Sequence, residues 1–236
     1  MTVQRNFPCS DIFDNQPKRH PGNKELRLWY EPVYRGVFIN TKNGPMVVEY
    51  LESLISTYQR HAAEYPSKRL IVRVDLYFPS HWSDEQRLHT NYFTRFVSAL
   101  KARLTAFNQQ RGYQRSNTVR FCRAVEYGAD GRGIHIHAVL FFNGSVFRAL
   151  GAPDSVNVNL AHRINESWAS ALGLMPAETL YHGLIHWPDG CEFFIDSNLQ
   201  GYTDVAKAFF TRSAYLCKAF SKRFDLPVKA FSCSRS

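Results

Sequence analysis

The stretch "VRFCRAVEYGADGRGIHIHAVLFF" spans residues 119–142 and sets two apolar, β-rich runs on either side of a glycine-rich segment. Runs 119–127 and 134–142 fit strands and 128–133 fits the loop between them, which predicts an antiparallel hairpin. Side chains two apart on a strand share a face. His135 and His137 therefore stand side by side, and closing the hairpin sets Glu126 across from them. Glu126 shares its strand face with Arg120, Cys122 and Ala124, small or polar residues that leave room beside the imidazoles. Two imidazoles and a carboxylate are a ligand set for a divalent ion that keeps coordination positions open. The competing interpretation is that both histidines merely line the polar face of a half-buried strand.

Working outward, "RLIVRVDLYF" (69–78) predicts a further strand, with Leu70, Val72, Val74, Leu76 and Phe78 on one face and Arg73, Asp75 and Tyr77 on the other. Apolar residues at three- and four-residue spacing from Met46 to Tyr58 predict an amphipathic helix that ends before Pro66. "SDEQ" (83–86) fits a capping box, opening a helix that runs to about Gln110. A helix is expected over 159–172, with a stripe of Leu160, Ile164, Trp168 and Leu172. "GLIHW" (183–187) and "CEFFI" (191–195) resemble a short hairpin turning at Pro188-Asp189-Gly190, and the last long helix runs from about Thr203 to Lys222. Residues 1–43 read as an irregular lead-in. Hairpin strands mixed with long helices predict an α+β fold, a central antiparallel β-sheet with flanking helices on one face. The expected division is 1–66, lead-in and accessory helix, and 67–236, the main domain. Nothing marks the accessory helix as a separate module.

Lys and Arg number 29 against 20 Asp and Glu, a formal charge of +9. The excess favours a polyanionic partner, nucleic acid first and an anionic membrane second, although many basic proteins bind nothing in particular. No segment has the apolar length of a membrane span, and the first twenty residues lack the apolar core of a signal peptide. Five cysteines without a CxxC pair fit reduced thiols rather than a disulfide framework or zinc finger. The expectation is a soluble, cytoplasmic, basic protein with no membrane partner.

A second cluster of chemistry lies in "FFTRSAYLCKAFSKR" (209–223). On a helix, Tyr215 has Thr211 and Arg212 one turn before it, Lys218 three residues after it and Lys222 two turns on. Phe209, Leu216 and Phe220 take a separate, buried stripe. A phenol amid positive charge favours the phenolate and attracts a phosphate. The plainer alternative is an interface tyrosine on a solvated basic helix. A divalent ion that polarises a phosphodiester, a tyrosine that attacks phosphorus and a lysine that stabilises charge together describe DNA strand cleavage through a covalent phosphotyrosine.

"GIHIHAVLFF" resembles the His-hydrophobic-His motif of the HUH endonucleases, and "YLCK" (215–218) resembles their Tyr-x-x-Lys motif. The chain more closely resembles the inovirus-type replication-protein family, or YagK/YfjJ-type domain, through "RVDLYFPS" (73–80), "SDEQRLHTNYFTRFVSALKARL" (83–104), "WASALGL" (168–174), "GLIHW" and "TRSAYLCKAFSK" (211–222). That resemblance covers about 67–236 and implies a ferredoxin/RRM-like HUH Rep nuclease fold. It implies His135 and His137 as metal ligands, Glu126 as the acidic ligand on the adjacent strand, Tyr215 as the nucleophile and Lys218 as its charge partner. Asp75 lies in the family's first strand motif without a defined role. One tyrosine occupies the motif, as in single-tyrosine Rep proteins, and Tyr202 is too distant to share its face.

The implied activity is a nickase and strand transferase that starts rolling-circle replication of a phage or mobile element in a bacterial host. Its implied cofactor is Mg²⁺ or Mn²⁺, although the ligand set itself also admits Zn²⁺. Its implied partners are single-stranded or origin DNA, a host polymerase and, since no GxxxxGK[ST] occurs, a host helicase. A non-cleaving DNA-binding regulator on the same scaffold and a hydrolase that uses water remain the alternatives. His186 reads as a hydrogen-bonded core histidine, and His61, His81, His89 and His162 as surface or helix residues without a role.

Overall fold

The computed structural model describes residues 18–89, 91–113, 118–128 and 133–235. In chain order, short strands β1 (Arg19–His20), β2 (Asn23–Trp29), β3 (Val33–Tyr34), β4 (Val37–Phe38) and β5 (Met46–Val47) precede helix α1 (Val48–Glu64). Strand β6 (Lys68–Tyr77), helices α2 (Asp84–His89) and α3 (Tyr92–Gln110), and strands β7 (Arg120–Gly128) and β8 (Gly133–Asn143) follow. Then come α4 (Leu160–Leu172), α5 (Pro176–Tyr181), β9 (Ile185–His186), β10 (Glu192–Asp196), α6 (Tyr202–Ser213), a 3₁₀ turn (Ala214–Cys217) and β11 (Phe231–Cys233).

The predicted hairpin forms and β8 occupies the centre of the main sheet, whose order is β10-β6-β8-β7-β11 with every pairing antiparallel. The expected loop at 128–133 falls mostly on 129–132, outside the described residues, as do 1–17 of the lead-in. Strands β6, β7, β8 and β10 with α3 and α4 between them make a β-α-β-β-α-β unit, the ferredoxin-like arrangement. Leu70, Val72, Val74 and Leu76 of β6 and Ile136, Ala138 and Leu140 of β8 pack against Phe96 and Leu100 of α3 and Ile164 and Trp168 of α4. This is the apolar face expected from the alternation in 69–78.

The opposite face is covered too, which corrects the one-sided arrangement. Ile71, Val139, Phe141, Cys122 and Ala124 pack against Leu51 and Leu54 of α1, Phe209 of α6 and Leu216 of the 3₁₀ turn. The strands are apolar on both faces in their middle, so a second layer is needed to bury them. Helix α1 is tied down by an Arg120–Glu64 ion pair at 3.0 Å and by His61, fully buried rather than on the surface, whose Nε2 lies 3.2 Å from the Phe142 carbonyl. The lead-in is also more regular than expected. β1, β2 and β5 form a small antiparallel sheet, and β3 pairs with β4.

Three further expectations change. The helix after "SDEQ" opens with the predicted capping box, the Ser83 amide donating to Gln86 Oε1 at 2.8 Å and the Gln86 amide to Ser83 Oγ at 3.2 Å. It ends at His89, and Asn91 starts a new helix by accepting from the Thr94 amide at 3.3 Å. Segments 183–187 and 191–195 do not pair with each other. β9 and β10 both run antiparallel to β6, so the Pro188–Gly190 segment bulges from one interrupted edge strand instead of reversing it. The last helix stops at Ser213 and passes through the 3₁₀ turn to Lys218, whose backbone is extended. There the chain leaves the helix to bridge Met46, and the Ala219 amide donates to the Pro45 carbonyl at 3.0 Å.

Candidate active site

His135 and His137 continue, toward one end of β8, the face that Val139 and Phe141 bury. Register pairs Glu126 and Ala124 of β7 with His135 and His137, and Tyr77 and Asp75 of β6 with the same two residues on the other side. Ala124 leaves the space that Glu126 reaches across. The 3₁₀ turn closes over this end and brings Tyr215 to it.

His135 Nδ1 lies 3.1 Å from the Gly133 carbonyl, and His137 Nδ1 lies 2.5 Å from Asp75 Oδ1. Both partners only accept, which puts the proton of each neutral ring on Nδ1 and the lone pair on Nε2. The two Nε2 atoms are 3.0 Å apart, and His137 Nε2 is 3.4 Å from Glu126 Oε2. Three acceptors thus converge in a buried place, with ligand atoms within 4.8 Å of one another. Facing lone pairs at that distance repel unless a proton or a cation sits among them, so the donor set fits a divalent metal ion held by His135, His137 and Glu126. Asp75 supplies the carboxylate behind a ligating imidazole that fixes its tautomer and direction.

Charge is organised around this point. Burial pushes the Glu126 carboxyl up, but the His137 hydrogen bond and the Lys222 charge pull it down to about 2. Lys222 is itself buried and ion-paired with Glu126 Oε1, which leaves Oε2 to face the histidines. Burial likewise raises the Asp75 carboxyl, and the hydrogen bond and charge of His137 with the charge of Arg73 outweigh it, so it stays ionised below its usual range. Burial lowers His137, yet Asp75 and Glu126 lift it above 6.5; burial and the neighbouring His137 keep His135 below.

Tyr215 stands edge-on to the His137 ring, with centroids 5.6 Å apart and planes at 85°. The Arg73 guanidinium lies 4.9 Å from the phenol ring centroid and Lys218 Nζ lies 4.2 Å from it. The cationic setting expected from helical spacing is present, with Arg73 in the place foreseen for Lys222. Its effect on the phenol is the reverse of that expected: burial and the Glu126 carboxylate push Tyr215 above 10, against the opposing pull of Arg73. Lys218 is buried, and burial lowers its ammonium while Glu126 opposes that shift. Beside the phenol opens a cleft of about 310 Å³ lined by Phe38, Asn40, Arg73, Arg212, Tyr215 and Lys218, among others.

All five predicted site residues, Glu126, His135, His137, Tyr215 and Lys218, therefore meet at one end of the sheet. Tyr202 opens α6, away from the turn that carries Tyr215. His186 is hydrogen-bonded, with Nδ1 3.3 Å from Asp75 Oδ2, but its side chain is 54% exposed and is no core histidine. Phe220, expected in the buried stripe, is exposed because the helix has ended before it. Sequence reasoning gave Arg73 no role and set Lys222 beside Tyr215 rather than against Glu126. Arg73 was visible as a charged residue on the same strand face as Asp75, whereas nothing local marks Lys222 as the partner of Glu126.

Two histidines, a carboxylate and a tyrosine thus meet on one ferredoxin-like sheet. The chain belongs to the YagK/YfjJ C-terminal domain family, which matches residues 33–234. It is 28% identical over 204 residues to the uncharacterized protein YagK of Escherichia coli (strain K12), covering 82% of this chain and 95% of that one. No solved structure matches it. Among the described residues no helix is long and apolar enough to cross a membrane.

Proposed function

We propose that this protein is a metal-dependent endonuclease and strand transferase for single-stranded DNA, working through a phosphotyrosine. The observation that carries the proposal is the packing of Tyr215 against His137, one of three converging ligand side chains, with Arg73 and Lys218 on its ring. When bound by His135, His137 and Glu126, a divalent ion supplies Lewis-acid polarisation of a phosphodiester oxygen. Tyr215 gives its phenolic proton to solvent water as it attacks phosphorus; the Tyr O–P bond forms and the P–O3′ bond breaks. The departing 3′ oxygen takes a proton, and Lys218 is the cationic donor closer to the ring than Arg73. The products are a 5′-phosphotyrosine and a free 3′-OH, and attack by a 3′-OH reverses the step and joins strands.

The resemblance to inovirus-type replication proteins and HUH endonucleases extends this to rolling-circle initiation for a phage or mobile element in the bacterial cytoplasm, with a host polymerase extending the 3′-OH and a host helicase unwinding. Incubation with labelled single-stranded origin DNA and Mn²⁺ should yield a DNA–protein adduct on a denaturing gel. Tyr215→Phe should bind the DNA and form no adduct, and nicking retained by this variant would point to water as the nucleophile. DNA binding without any cleavage by the unmodified protein would assign it as a regulator. Cleavage retained by the His135→Ala, His137→Ala double variant would remove the metal from the mechanism.

A further inference from the structure

Two large aromatic side chains stand in water beside the Tyr215 cleft, Phe38 at 55% exposure and Phe220 at 60%. Phenylalanine is among the residues most often buried, and a single exposed one needs no explanation. Two of them flanking the cations around Tyr215, Phe38 in the cleft and Phe220 beside Lys218, is a different matter. Phe38 lines the cleft with Arg73, Arg212, Tyr215 and Lys218. It is held there by its strand partner Val33 and by Thr211, whose Oγ1 donates to the Phe38 carbonyl at 2.7 Å. Phe220 borders Lys218: Nζ is 4.2 Å from the Tyr215 ring centroid and 5.6 Å from the Phe220 centroid. Arg73 Nη2 lies 3.7 Å from Asp75 Oδ1, which holds the guanidinium at the cleft, and among the described residues its buried Nε has no hydrogen-bond partner.

Cations that hold phosphates, interleaved with open aromatic faces, are what a single-stranded nucleic acid requires, because each unpaired base offers a π-face next to each phosphate. A duplex hides those faces within its stack, and an anionic membrane offers charge without bases. We propose that Phe38 and Phe220 are stacking platforms for bases flanking the phosphate at Tyr215, which makes the site selective for unpaired strands. The inference rests on Tyr215 facing a phosphodiester, and it makes the β3–β4 hairpin part of the binding face.

The test uses full-length Tyr215→Phe protein, which leaves the strand uncut, and follows fluorescence anisotropy of a labelled single-stranded oligonucleotide, the same length of abasic backbone, and the duplex. The base-bearing single strand should bind roughly tenfold or more tighter than the abasic one. Phe38→Ala or Phe220→Ala should each remove much of that advantage, leave abasic binding unchanged and leave the slope of log K against log salt unchanged. Both side chains are exposed, so the substitutions spare the core, and Phe38→Trp should restore base-dependent binding. Equal affinity for base-bearing and abasic strands overturns the stacking role while the phosphate site stands. Failure to bind any strand overturns the phosphodiester assignment as well. Phe-dependent binding to anionic phosphatidylserine vesicles, with none to DNA, assigns the surface to a membrane instead.

Discussion

His137 is the most constrained side chain of the site. Its Nδ1 is 2.5 Å from Asp75 Oδ1, its Nε2 faces both His135 Nε2 and Glu126 Oε2, and its ring stands nearly perpendicular to Tyr215. Replacing Asp75 by Asn keeps an acceptor but loses the charge and allows the amide to turn its NH₂ toward the ring. Mn²⁺ affinity, measured by titration calorimetry, should fall by roughly 10- to 100-fold in Asp75→Asn; unchanged affinity would show that Asp75 does not orient the ligand. His135 depends on the Gly133 carbonyl in the same way. Gly133 has φ +67°, a conformation L side chains rarely adopt, so Gly133→Ala should strain the backbone, displace that carbonyl and weaken Mn²⁺ binding without touching a ligand. At this scale the sequence was informative wherever chemistry follows strand alternation. His135, His137 and Glu126 are placed by period two and one hairpin closure. Lys222 pairs with Glu126 across ninety-six positions, and no local pattern encodes such a meeting.

Elements were legible where one periodicity held from end to end, as in β6 and α4. They were misjudged where a tertiary contact interrupted the pattern. The continuation of α6 past Ser213 has acceptable helical spacing, yet Lys218 pairs with Met46 and ends it, so helical neighbours of Tyr215 were the wrong neighbours. Helix α1 was recognised, but not the way it docks. Its His61 is fully buried on β8, with Nδ1 left without a partner among the described residues, and burial lowers its pKa to about 4. The unfolded chain binds that proton near 6.5 and the folded chain only near 4. Stability from this group is therefore complete above pH 6.5 and is lost as pH falls toward 4, by about 3 kcal/mol at most. His61→Gln keeps a donor for the Phe142 carbonyl and removes the titration. Urea unfolding with EDTA at several pH values between 7 and 4 should show a smaller loss for His61→Gln than for the unmodified protein, and parallel losses would mean that other groups set the acid limit.

Across the whole molecule, the site joins parts of the chain distant in sequence: the β7–β8 hairpin, strand β6, and the segment after α6 that supplies Tyr215, Lys218 and Lys222. Lys222 neutralises the buried Glu126 carboxylate at Oε1, and a divalent ion held by His135, His137 and Glu126 would do related work. Lys222→Met fills similar volume but strands that carboxylate, at a cost of about 3–5 kcal/mol in metal-free protein. Mn²⁺ at about a hundred times its dissociation constant should stabilise the unmodified protein by about 2.7 kcal/mol. It should stabilise Lys222→Met by more, because the ion then takes over the neutralisation of Glu126 that Lys222 provided. The His135→Ala, His137→Ala variant should gain nothing from Mn²⁺. Thermal unfolding of the three proteins with EDTA and with Mn²⁺ measures this directly, with the unmodified protein shifting upward by several degrees. If Mn²⁺ raises the melting temperature of Lys222→Met no more than that of the unmodified protein, Glu126 is not a ligand, and its carboxylate serves only to anchor the C-terminal segment that carries Tyr215.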